Sequence, residues 1–167
     1  MRWSTLCVVL LGAAVMGCDP PATFSRQRRA VEEQFINNRL SLWTTALNNG
    51  DQDTLIELYD RSPRLNVVWP DGRWAVGFDE LEQSIADTYD MWDMVNYGPI
   101  NAQVDLINKQ VAVVTYRHSL DIRFVDTRRQ VASGHTTLVF VKDEEDGLWR
   151  IRRQHISLNA VRTLSGR

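Results

Sequence analysis

Four polar side chains in the second half of the chain are of the types that acid–base chemistry uses: Tyr116, His118, Arg153 and His155. Histidine titrates near neutral pH and is the usual general base there. Tyrosine and arginine can hold a developing oxyanion. Tyr116 and His118 stand two apart within Val111–Phe124, so in a strand they share a face. That face also carries Ala112, Val114, Leu120, Ile122 and Phe124, while the other carries Val111, Val113, Thr115, Arg117, Ser119, Asp121 and Arg123, so the first is the more apolar at its far end. The more apolar set is expected inward. In Leu148–Leu158 the same alternation groups Trp149, Ile151, Arg153, His155 and Ser157, and this face too is expected inward. His118 and His155 are then the candidate catalytic residues. Trp69 and Trp74 flank the turn Pro70–Arg73 and are expected at the mouth of the same pocket. A second reading of these residues is that they satisfy one another inside a core, as buried polar groups normally do.

Other chemistries find little footing. The two cysteines, Cys7 and Cys18, both lie near the N-terminus, so the body has no cysteine for a disulfide, a metal or a nucleophile. His118, His135 and His155 fall on three successive strands. However, both faces of the strand bearing His135 are apolar near Leu138–Val141, which leaves His135 unoriented. No metal and no cofactor is expected. The formal net charge of −2 offers no basic surplus for nucleic acid. The acidic run Asp143–Asp146 lacks the alternating ligands of a calcium loop and reads as a solvated hairpin tip.

The elements that must position these residues follow from periodicity. Apolar residues at 31, 35, 36, 40, 42, 43, 46 and 47 predict a helix over Arg28–Asn49, with Gly50 closing it. Asp51 is placed to cap a short helix over Asp53–Tyr59. Leu65–Trp69 and Trp74–Val76 read as a hairpin, and Phe78–Asp93 as a third helix. Four strands follow: Ile100–Ile107, Val111–Phe124, Gln130–Lys142 and Leu148–Leu158. Helices first and a meander of long strands afterwards argue α+β, with helices on one face of a curved sheet.

The N-terminus has a character of its own. Arg2 precedes the apolar run Leu6–Met16, whose 11 residues suit a signal peptide and are too few to span a bilayer. Val15-Met16-Gly17-Cys18 resembles the lipobox of bacterial lipoproteins. That resemblance implies cleavage after Gly17 and lipid on Cys18, with two or more acyl chains giving a stable anchor. Asp19 resembles an inner-membrane retention signal. The expected organisation is a signal peptide at 1–17, lipidated Cys and tether at 18–27, one domain at 28–160 and a tail at 161–167.

Several motifs in order carry a further resemblance. They are Leu42-Trp43-Thr44-Thr45-Ala46-Leu47-Asn48-Asn49-Gly50-Asp51, then Gly77-Phe78-Asp79-Glu80-Leu81, then Gly134-His135-Thr136-Thr137. The last are Gly147-Leu148-Trp149-Arg150-Ile151 and Gln154-His155-Ile156-Ser157. Over about residues 28–160 the chain resembles the SnoaL-like branch of the nuclear transport factor 2-like superfamily. This implies a cone-shaped, cystatin-like α+β fold, with three N-terminal helices packed on a curved antiparallel sheet. It also implies an open-ended pocket and frequent homodimers through the convex face. The family includes ketosteroid isomerase, cyclases, dehydratases and non-catalytic association domains, so the fold alone does not give the function. The isomerase pattern needs an inward Asp base. Here Asp105 and Asp121 fall on the more polar faces and Asp71 in a turn. The leading expectation is an envelope lipoprotein, anchored to the membrane through Cys18, whose pocket binds a small hydrophobic or partly polar molecule or a protein partner. The alternatives are an isomerase, dehydratase or cyclase using a pocket histidine, and a dimeric assembly module.

Overall fold

In a computed structural model the described residues are 25–164. The segment 1–17, Cys18 and Asp19, on which the signal-peptide and anchor expectations fall, lies outside them. Three helices precede a six-stranded sheet. They are α1 (Arg26–Asn49), α2 (Gln52–Glu57) and α3 (Phe78–Met91), with β1 (Asn66–Val68) and β2 (Trp74–Val76) between the last two. The long strands are β3 (Trp92–Leu106), β4 (Val111–Phe124), β5 (Arg129–Lys142) and β6 (Trp149–Leu164). No helix among the described residues is long and apolar enough to cross a membrane.

The helix boundaries obey local chemistry. The Ser25 hydroxyl caps α1 by accepting from the Arg28 amide at 3.3 Å. Gly50 ends the helix in the left-handed region at φ 72°, which favours glycine. The Asp51 carboxylate accepts from the Thr54 amide at 3.1 Å and starts α2. The core lies between the helices and the inner sheet face. Ile36, Trp43, Leu55, Leu81, Ile85, Val114, Leu138 and Ile151 are fully buried in it.

The sheet order is β2-β1-β6-β5-β4-β3. All junctions are antiparallel except β1–β6, which is parallel. Two strands are longer than the sequence reading expected. β3 begins at Trp92, because Gly98-Pro99 does not break it. β3 is an edge strand, where proline costs no ladder bond, and Pro99 simply stands opposite His118. β6 continues to Leu164, beyond residue 160, because it keeps pairing with β5 as far as Arg129↔Leu164.

Buried polar pairs tie the layers together. Glu32 of α1 is buried and accepts from Lys142 Nζ at 2.7 and 2.8 Å and from Trp149 Nε1 at 2.8 Å. Asn48 of α1 exchanges two bonds with the backbone of Tyr97, its amide nitrogen donating at 2.9 Å and its oxygen accepting at 2.7 Å. That pair fixes where the middle of β3 meets the helix.

Candidate functional site

Between the open end of the sheet and the β1–β2 turn lies a cavity of about 380 Å³. Its walls are mostly aromatic and aliphatic: Trp69, Trp92, Leu120, Ile122, Phe124 and Leu158 among them. Asp71 and Arg73 at its rim bind each other at 2.7 Å, and Arg73 also donates to Thr88 Oγ1 at 2.9 Å. Pockets for small molecules have this general make-up, largely apolar with a few placed polar groups. Trp69 lines the cavity as expected, with its ring buried. Trp74 does not. It stands 65% exposed on the outer face of β2, because it is one residue out of phase with the buried Ala75.

β4 behaves as its alternation predicts. Ala112, Val114, Tyr116, His118, Leu120 and Ile122 are all buried on the inner face. His118 follows Leu120 on that face, one pleat deeper than the cavity wall, and is 1% exposed. Its ring stacks on Tyr97 with centroids 4.9 Å apart. His118 Nδ1 and Thr136 Oγ1 are 3.0 Å apart, and Thr136 Oγ1 is 2.6 Å from the Tyr97 hydroxyl. The Tyr97 hydroxyl donates to that of Tyr116 at 3.3 Å. His118 Nε2 has no protein partner.

Burial pushes the His118 imidazole down to about 4, with the neighbouring His135 a smaller cause. The ring is therefore neutral at physiological pH. A neutral imidazole carries one proton on one of its two nitrogens. If Thr136 donates to Nδ1, Nε2 carries the proton; if Nδ1 donates to Thr136, Nε2 presents its lone pair. Because the Tyr97 hydroxyl gives its one proton to Tyr116, Thr136 donates to Tyr97 and accepts from Nδ1–H, and Nε2 presents its lone pair. Burial also raises Tyr97 and Tyr116 above the ordinary phenol value, so both act as neutral hydroxyls.

β6 does not follow the expected phase. Arg153 and His155 were expected inward beside Tyr116 and His118, but both are exposed on the outer face. The cause is a β-bulge. Phe140 pairs with Ile151 and Val139 with Arg153, so Arg152 is an extra residue that inverts the alternation. Trp149 and Ile151 face in before it, Gln154 and Ile156 after it. The bulge sits where the end of α2 docks. The Ile151 amide donates to Leu58 O and the Asp60 amide to Ile151 O, each at 2.9 Å, while Arg152 Nε reaches Asp60 Oδ2 at 2.6 Å.

Gln154 thereby occupies the inner position assigned to its neighbours. Trp43 Nε1 donates to the Tyr59 hydroxyl at 2.9 Å, and that hydroxyl donates to Gln154 Oε1 at 2.7 Å. Gln154 Nε2, Trp69 Nε1 and His118 Nε2 are the buried side-chain polar atoms without a protein partner among the described residues. Thr136, Tyr97, Tyr59 and Gln154 are buried polar residues beside the cavity that the sequence reading did not single out. Tyr97 lies in the part of β3 before Ile100, which the sequence pattern did not assign to a strand, and the bulge hid Gln154.

His135 and His155 are exposed on the outer face and His118 faces in, so the three histidines do not converge. Carboxylates are likewise directed away from His118. Asp121 pairs with Arg129 at 2.5 Å and Asp105 is exposed. The two most buried, Glu32 and Asp60, are taken by Lys142 and Arg152. A wider recess of about 680 Å³ lies beside the acidic turn Asp143–Asp146. Arg150 holds Asp143 at 3.0 Å and Asp146 at 2.5 Å there, so much of that charge is already matched.

Comparison with known proteins gives one family and a set of folds. The model of the SnoaL-like domain matches residues 36–161. Among curated proteins none matches. A solved structure of a hexachlorocyclohexane dehydrochlorinase, LinA-type3 from Novosphingobium barchaimii LL02, is similar with a TM-score of 0.74 at 11% identity, covering 86% of this chain and 97% of that one. A candidate scytalone dehydratase from Novosphingobium aromaticivorans DSM 12444 has a TM-score of 0.73 at 17% identity, with 83% and 91% covered. A nuclear transport factor 2-like superfamily protein from Salmonella enterica serovar Typhimurium LT2 has a TM-score of 0.72 at 18% identity, with 79% and 94% covered. At these identities the likeness is one of fold.

Proposed function

This chain belongs to the SnoaL-like domain family, and from that premise we propose that it is a lipid-anchored envelope protein whose cone binds a small, mostly apolar molecule. The observation that carries the binding reading is the pairing of an apolar cavity of about 380 Å³ with a buried imidazole one pleat deeper, whose Nε2 is unmatched. The walls would supply burial of aromatic or aliphatic surface, and His118 Nε2 one directional hydrogen bond. The lipobox at Val15–Cys18 supports the anchor, with processing after Gly17 and acylation of Cys18. An inner-membrane address through Asp19 belongs to the same reading. So does pairing of two copies through the outer sheet face, where Trp74 and Val76 stand exposed.

An elimination reaction is the second reading, favoured by the neutral, unmatched His118 and by the names of two similar structures, a dehydrochlorinase and a dehydratase. His118 would take a proton from carbon while a leaving group departs. Against it, the imidazolium so formed would meet a threonine hydroxyl, with no carboxylate bonded to it among the described residues, and a base held near 4 has little driving force.

Native mass spectrometry of the protein purified from its own membrane tests both readings. We expect a bound small molecule in wild type and in His155→Ala, and its loss in His118→Leu with unchanged folding. Retention by His118→Leu would overturn the role of His118. Conversion of the released compound by wild type, but not by a His118→Gln variant that still binds it, would replace binding by elimination.

A further inference from the structure

A helix on the surface of a soluble domain normally keeps charged side chains on its outer face. α3 does so, with Asp79, Glu80, Glu82, Asp87 and Asp90 all exposed. α1 does not. From Ala30 to Asn49 none of its exposed residues carries a charge. The charged residues of that stretch lie off this stripe: Glu32 is buried on Lys142 and Trp149, Arg39 donates to the Trp149 carbonyl, and Glu33, its side chain 34% exposed, pairs with Arg29 at 3.5 Å. The outward side instead shows Val31, Phe35 and Leu42, which are 49%, 56% and 43% exposed. These lie four and then seven residues apart and so form one stripe along the helix. Val31 and Phe35 also frame a shallow hollow with Ala30 and Asn38.

The start of α1 is equally one-sided. Arg26, Arg28 and Arg29 are exposed and its first turn holds no acid. Cations there sit at the unfavourable, positive end of the helix dipole. α3 has the favourable arrangement, with Asp79 and Glu80 in its first turn. A basic end leading into an uncharged, partly apolar face is the pattern of helices that lie on anionic lipid.

Chain length selects the occupant. The cap residue Ser25 follows Cys18 by seven residues, which even fully extended span at most about 25 Å. With lipid on Cys18, the first turn of α1 is held within that distance of the bilayer. We propose that the outer face of α1 docks on an anionic lipid surface, with Arg28 on the headgroups, the rest of the basic first turn adding attraction at longer range, and Val31 and Phe35 at the headgroup boundary. The acidic face of α3 is then kept from the membrane by charge, which gives the domain one orientation. This rests on the lipid-anchor reading above.

The test uses the mature lipoprotein carrying Gln34→Cys. Acylation consumes the Cys18 thiol, so a spin label attaches at position 34 alone. The protein is placed in vesicles of phosphatidylcholine, with or without phosphatidylglycerol. Docking predicts that phosphatidylglycerol lowers the label's access to a water-soluble nickel chelate and raises its access to oxygen. Adding Phe35→Glu, or Arg26→Glu with Arg28→Glu, removes that change while the thermal midpoint stays at the wild-type value. Equal nickel access in both vesicles, with the protein still vesicle-bound, overturns docking and leaves the anchor standing. Absence of acyl mass on Cys18 overturns both. Shielding of the label in detergent that grows with protein concentration means that a second copy covers the face, and also overturns docking.

Discussion

β4 and β6 are both long, both antiparallel to β5 and both patterned apolar–polar, yet only one of them can be read from its own sequence. β4 keeps strict alternation from Ala112 to Ile122, and every residue of its inner set is buried. β6 keeps phase through Trp149 and Ile151, takes one extra residue at Arg152, and then turns Gln154 and Ile156 inward. His118 and His155 looked equivalent in the sequence. In the fold one is sealed beneath the cavity and the other faces outward. Residue type and spacing nominate a site, while strand phase decides whether its members ever meet.

The sharpest way to break the contrast is at Gly134 of β5, which pairs with His118 on one side and Leu158 on the other. A Cβ there would stand 1.8 Å from the Ser157 carbonyl oxygen and 2.9 Å from His118 Cε1. The first clash is with backbone and cannot be relieved by a rotamer. Gly134→Ala is expected to cost more than about 3 kcal/mol and to lower the thermal midpoint steeply. A midpoint within a degree or two of wild type would mean that β6 does not ride against Gly134.

A smaller effect should separate the two histidines by pH. The unfolded chain protonates His118 near 6.5, the folded protein only near 4. Between those values the unfolded state binds more protons, so stability rises with pH, is complete above 6.5 and is lost as pH falls towards 4. The effect is at most about 3 kcal/mol. Denaturant unfolding from pH 7 to 4 should show it in wild type and His155→Leu, and a flatter profile in His118→Leu. A His155→Leu profile as flat as that of His118→Leu would exchange the roles of the two strands.

The smallest effect probes the inverted phase of β6 itself. Tyr59→Phe removes the hydroxyl between Trp43 Nε1 and Gln154 Oε1. Leaving two buried groups unmatched is expected to cost about 1–3 kcal/mol in chemical denaturation. A neutral result would show that Gln154 is not held inward by this chain.

Much of the architecture was legible because its signals are local. Gly50 and Asp51 mark the α1–α2 junction by backbone and capping chemistry alone, and the period-two pattern of β4 names its buried face. The helices-then-strands order and the ordered motifs from Leu42 to Ser157 point to the fold. The site was legible only in part. Tyr116, His118 and Trp69 are buried on the inner side as expected, with Trp69 alone of them lining the cavity, whereas Arg153, His155 and Trp74 turn outward. Thr136 and Tyr97 were not assigned because the apolar residues on both faces near Leu138–Val141 left the fifth strand unoriented, and the third strand was read only from Ile100.

The sequence by itself determined the three helices, the Gly50 and Asp51 caps, the strand count and the inner face of β4. Tertiary structure alone decided the phase of β6 and the partners of His118. Alternation is a property of consecutive residues, but a bulge is fixed by what packs against it. Here that is the end of α2, bonded to Ile151, and Asp60, bonded to Arg152, from some 90 residues earlier in the chain. One residue of slip exchanges every side chain between the two faces, so contacts that no local pattern records chose Gln154 over His155 for the interior.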